Sequence, residues 1–241
     1  MTTPLARTIY RTCKAIAGKY PAILPSLVGP ARWIAARPDM AVKTEDAFNR
    51  SIRNLVKVLY GGGSEGAFID GMAELIQGQL TRAYNQAWRE SGEELPLPDY
   101  LEAALEDAIL TQYDFVDGYA ADIVDARDNE QSIEPLLGRA DLWAGQYESA
   151  RLEAVRLIAV ENEDNMLWSL GDAEEHCNSC ASLDGVVAPA KLWESLGVHP
   201  REGPNDKLDC SGYHCTCSLD PTNEKATPGA REIIMIAMAQ K

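Results

Sequence analysis

Five of the chain's six cysteines fall between Cys177 and Cys217, in a stretch punctuated by Gly185, Pro189, Gly197, Pro200, Gly203, Pro204 and Gly212. A segment so rich in breakers is expected to bury little apolar surface and to need a staple. The N-terminus shows no signal-peptide pattern, because Arg7, Arg11 and Lys14 interrupt any apolar core, so folding in a cytosol is expected. In a reducing compartment, clustered cysteines are more often metal ligands than disulfides. The expectation is one structural zinc ion holding the last third of the chain together. Cys13 sits apart on an apolar helical stripe and reads as a small core residue.

The spacing of the five cysteines supports the same chemistry. His176-Cys177-Asn178-Ser179-Cys180 contains a C-x-x-C, and about thirty residues later comes Cys210-Ser211-Gly212-Tyr213-His214-Cys215-Thr216-Cys217. Two ligand groups separated by a loop are the usual way to assemble a tetrahedral zinc site, and thiolates favour zinc over magnesium or calcium. The candidate ligands are Cys177, Cys180, Cys210, Cys215 and Cys217. Cys177 and Cys180 form the first pair. The second comes from Cys210, His214, Cys215 and Cys217. Cys215 and Cys217 share one side of an extended chain, Cys210 with Cys215 competes, and five cysteines are one more than a closed tetrahedron takes.

No catalytic residue is expected. Glu174, Glu175 and Asp184 lie near the first pair, but H-E-x-x-H and the zinc-deaminase signature are both absent. No βαβ pattern surrounds the C-x-x-C, which argues against a redox motif. His199, beside Pro200, reads as a surface loop residue.

The first 165 residues read as successive helices. Leu5, Ile9, Cys13 and Ile16 mark one, and a short helix is expected over 31–36. Thr44 can cap the next, with Phe48, Ile52, Leu55, Val56 and Leu59 inward and Gly61-Gly62-Gly63 ending it. Ser64 caps a longer helix carrying Phe68, Met72, Leu75, Ile76, Leu80 and Trp88. Pro96 and Pro98 introduce another, with Leu101, Leu105, Ile109, Val116 and Ile123 on one face and an acidic opposite face that includes Glu102, Glu106 and Asp107. A last long helix spans about 134–161. Helices of this length reach ~40 Å. The expected fold is mainly α: a long-helix N-terminal bundle or extended hairpin, then a small irregular α+β zinc-stapled C-terminal domain, with a short strand at Met166–Leu170. The expected division is a basic helical arm over 1–60, a long-helix region over 61–164, a zinc-binding domain over 165–222 and a tail over 223–241 able to form a short helix.

Charge divides the chain as well. Residues 1–60 hold ten Lys and Arg against three acids, whereas the remainder holds 12 bases and 34 acids within a net charge of −15. An acidic body repels nucleic acid, while the basic arm suits phosphate or an acidic protein surface. No run approaches the ~18 apolar residues of a membrane span, so no membrane partner is expected.

Trp168, Asp172, Cys177-x-x-Cys180, Leu183-Asp184-Gly185 and Cys215-Thr216-Cys217, in that order, resemble the C-terminal domain of phage Mu F-like minor head proteins, also called head morphogenesis proteins. The resemblance covers about residues 140–220. It departs at Gly212, where the family has a histidine, at Thr216, where it has an arginine, and in the additional Cys210. The resemblance implies a structural minor capsid protein of a tailed bacteriophage, made in the host bacterial cytoplasm and carried in the virion head near the portal vertex. Its partners would be the portal and other head proteins, in head morphogenesis and genome packaging or delivery, with the basic arm free to touch packaged DNA. The alternatives are a zinc-dependent enzyme acting on nucleic acid or peptide bonds, and a zinc-containing interaction module.

Overall fold

The computed structural model describes residues 45–173, 175–201, 205–212 and 215–239. The expected helices before residue 45, the Thr44 cap, most of the basic arm, Glu174 and His214 lie outside the described residues. The described chain is mainly helical, with a small β-containing C-terminal region. It divides into two compact units, residues 45–86 with 94–150, and residues 87–93 with 151–239. Among the described residues no helix is long and apolar enough to cross a membrane.

Four helices follow in order: α1 (Glu45–Tyr60), α2 (Glu65–Glu90), α3 (Asp99–Asp128) and α4 (Glu134–Glu161). In α1 the stripe Phe48, Ile52, Val56 and Leu59 is buried, as a 3–4 spacing requires of a one-sided helix. Its end is closed by the glycine run: Gly61, Gly62 and Gly63 donate to the carbonyls of Lys57, Leu59 and Val58 at 3.0, 3.0 and 2.9 Å. Gly62 takes φ +98°, a conformation costly for any side chain. Ser64 Oγ accepts from the Ala67 N–H at 3.4 Å and starts α2.

The first unit centres on Tyr119. Its ring stacks on Trp143 with centroids 4.8 Å apart and meets the Phe68 ring edge-on at 5.7 Å. Its hydroxyl donates to the Leu136 carbonyl at 2.5 Å. One α3 side chain therefore contacts both α2 and α4. Burial pushes the Tyr119 hydroxyl up to about 12, with the Arg139 cation pulling the other way. Arg53 of α1 reaches two groups of α4, Asp141 at 3.0 Å and the Leu137 carbonyl at 3.2 Å. Glu102 corrects one expectation: it is buried in the first turn of α3, not part of an exposed acidic face.

The second unit is built on a three-stranded antiparallel sheet, ordered β2-β1-β3. Its elements are β1 (Asn165–Ser169), α5 (Asn178–Leu183), β2 (Val187–Pro189), α6 (Ala190–Leu196), β3 (Ser218–Thr222) and α7 (Ala230–Ala239). Alternation along β1 turns Met166 and Trp168 into the core. The register sets Met166 opposite Ala188 in β2, and Trp168 opposite Leu219 in β3. The Trp168 and Trp193 rings lie 5.6 Å apart, and Trp193 Nε1 donates to the Met166 carbonyl at 3.3 Å. Leu183, Val198, Leu208, Ile234 and Ala237 complete this core, with Cys180 and Cys217 buried at its edge. The region thus buries more apolar surface than its glycines and prolines suggest. The reason is long-range pairing: strands about twenty and fifty residues from β1 supply neighbours that local sequence does not reveal.

Candidate metal centre

Three chain segments bring the sulfurs together. The first is the start of α5. Cys177 is its N-cap residue, and its sulfur accepts from the Cys180 N–H at 3.4 Å. A two-residue gap at a helix start therefore sets two sulfurs one turn apart with a backbone donor aimed at the outer one. After α5, Asp184 and Gly185 turn the chain back under β1. Gly185 takes φ +75° and donates to the Trp168 carbonyl at 3.0 Å. Asp184 Oδ1 accepts from the Leu170 N–H at 3.3 Å.

The second segment carries Cys210. Asn205 bridges the loop, its side-chain amide donating to the carbonyls of Gly197 and His199, both at 3.3 Å. The Asp209 N–H donates to the buried Ser179 hydroxyl at 3.1 Å, which ties the loop to α5. The third segment is Cys215-Thr216-Cys217, leading into β3. Arg201 clamps it, donating to the Thr216 carbonyl at 2.6 Å and the Cys217 carbonyl at 3.1 Å. Gly171 packs so closely that a Cβ there would collide with the Thr216 carbonyl.

All five predicted cysteines converge. They form two groups of three, Cys177 with Cys180 and Cys210, and Cys180 with Cys215 and Cys217. Within each group the sulfurs lie within 4.8 Å of one another. Cys180 belongs to both, and its sulfur is 3.9 Å from that of Cys215. All five are free thiols. Each group could hold a metal ion.

The backbone favours thiolates here. Cys177 is lowered from the ordinary thiol range: burial works upward, but hydrogen bonds from the N–H and thiol groups of Cys180 and Cys210 prevail. Cys215 is drawn down to about 5, chiefly by the Cys180 thiol, with the N–H groups of Cys217 and Arg201 assisting against burial. Cys180 is raised by that same donation and by burial. Burial raises Cys210 to about 11 and also raises Cys217, against backbone donors from Gly212 and Gly171 respectively. Backbone N–H groups thus face four of the five sulfurs, an arrangement that stabilises charged sulfur in a partly buried site.

Two histidines change standing. His176 is not among the ligands the sequence leads one to expect, yet its Nδ1 lies 3.7 Å from Cys217 Sγ. Its adjacency to Cys177 was the available signal. His199 is buried, not a surface loop residue. Its Nε2 lies 3.4 Å from Glu194, which also pairs with Arg156, and it belongs to neither sulfur group. In comparisons with known proteins, the chain matches no family model, no curated protein and no solved structure.

Proposed function

We propose that the C-terminal unit is a zinc-held interaction module in a protein that acts by binding, not by catalysis. The observation that carries this reading is the convergence of five free thiols on two overlapping groups. Soft, sulfur-rich donor sets suit zinc, and cysteine-rich sites are typically closed structural ones. The ion would fix the α5 start, the Cys210 loop and the entry to β3 relative to one another, holding the surrounding surface in one shape for a partner. Zinc content of the purified chain, with all-sulfur or sulfur-plus-imidazole coordination by X-ray absorption, is the expected result. A metal-free chain that ignores chelators, or a zinc-dependent hydrolase activity toward nucleic acid or peptides, overturns it.

A more specific setting comes from the resemblance to Mu F-like minor head proteins. Trp168, Asp172, Cys177, Cys180, Leu183, Asp184, Gly185, Cys215, Thr216 and Cys217, which carry it, all lie in the second unit, with Trp168 and Gly185 joined directly. That clustering favours the reading of a portal-associated head component, its helices forming a bundle or arm and its basic N-terminal arm available to packaged DNA. Copurification with a portal protein and detection in virions test it. Absence from both procapsids and virions removes it.

A further inference from the structure

We propose that the cysteine cluster binds two metal ions that share the Cys180 thiolate as a bridge. The proposal rests on the metal-binding reading above and deepens it.

Three observations lead to it. The first is number. One tetrahedral ion takes four ligands, and five cysteines converge here. The second is arrangement. The five sulfurs do not form one mutually close group: Cys177 and Cys210 fall with Cys180 in one, Cys215 and Cys217 with Cys180 in the other, and Cys180 is the sole member common to both. A single ion would have to draw sulfurs from both groups to one point. Two ions need no such collapse. At a zinc–sulfur distance of ~2.3 Å, a tetrahedral edge between two sulfurs is ~3.8 Å, and Cys180 and Cys215 stand at 3.9 Å.

The third is a further donor. His176 Nδ1 lies 3.7 Å from Cys217 Sγ but outside the group of Cys180, Cys215 and Cys217, so a side-chain rotation would bring it in as the fourth ligand of the second ion. The first ion then takes its sulfurs from Cys177, Cys180 and Cys210. Charge agrees with this count. Four thiolates around one divalent ion, with the fifth sulfur left as a thiol, leave a surplus of two negative charges in a partly buried site, and five thiolates around two ions a surplus of one. Uncompensated buried charge is costly. The ligand class is therefore a pair of thiophilic divalent ions, zinc or cadmium, bound with release of the thiol protons.

Native mass spectrometry of the full chain, loaded with zinc and separately with cadmium, tests the count. Two ions per chain, with a metal–metal shell in X-ray absorption, are the expected result. Cys210→Ser should retain one ion and Cys217→Ser the other, while Cys180→Ser weakens both. One ion per wild-type chain at saturation overturns the bridge and leaves the metal reading intact. No ion overturns both. Two ions retained in Cys210→Ser, or the visible absorption of an iron–sulfur cluster, also overturns the proposal.

Discussion

Cys180 Sγ lies 3.9 Å from Cys215 Sγ, although the two residues are 35 positions apart in the chain. With both thiols free, nothing covalent holds that contact, and a sulfur–sulfur hydrogen bond joins the two thiols. A metal ion between them replaces that hydrogen bond with coordination. Chelation is therefore expected to destabilise the second unit selectively. Binding energy at a structural site of this kind is folding energy, of the order of 10 kcal/mol for small zinc domains. With a strong chelator, near-ultraviolet circular dichroism from Trp168 and Trp193 should collapse, while most of the far-ultraviolet helical signal from residues 45–150 persists. Because thiolates are the ligands, acidification should release the metal. A near-ultraviolet spectrum indifferent to both treatments removes the staple.

Gly171 and Thr216 provide a second test. A side chain at Gly171 meets the Thr216 carbonyl, and the Gly171 N–H faces the Cys217 sulfur. Gly171→Ala should push the Cys215–Cys217 segment away from its donors. Overpacking of this sort costs about 1–3 kcal/mol. Metal affinity should fall with stability, measured by competition with a chromophoric chelator. Gly78, where an added Cβ meets nothing, serves as the control, and Gly78→Ala should leave affinity unchanged.

Trp168 fills the core beneath the site, fully buried against Trp193. Replacing a buried tryptophan by alanine typically costs ~3–5 kcal/mol. Trp168→Ala should therefore unfold the second unit at much lower urea, and Trp168→Phe should recover part of the loss. Equal midpoints for wild type and Trp168→Ala would show that this residue does not hold the core.

These cases mark what local sequence reveals. Helix α4 at Glu134–Glu161, the Ser64 cap and the strand around Met166–Ser169 follow from periodicity and capping chemistry over a few residues. The C-x-x-C is equally local, because a helix start sets both sulfurs. The role of Cys180 between two groups is not local. It depends on the Cys210 loop docking on Ser179 and on β3 pairing with β1, contacts made across 30 residues and more. The contacts of His199 are nearer in sequence, with Glu194 five residues before it and Asn205 six residues after it.

Glu102 illustrates the same point and gives a pH test. Its helical position suggested solvent, but it is buried, and burial followed by the charge of Asp99 raises its pKa above 4.5. A carboxyl with a raised folded pKa holds its proton more tightly in the native state. Its favourable contribution is complete below the unfolded value and is lost as pH rises through the folded one. At pH 7 the carboxylate therefore works against folding. Glu102→Gln keeps the shape and removes the charge, so it should shift the urea midpoint of the first unit upward at pH 7. That advantage should shrink on acidification and disappear below pH ~4.5, where wild-type Glu102 is itself protonated in both states. If the Glu102→Gln variant instead keeps a constant advantage from pH 7 to pH 4, packing and not the buried charge is responsible.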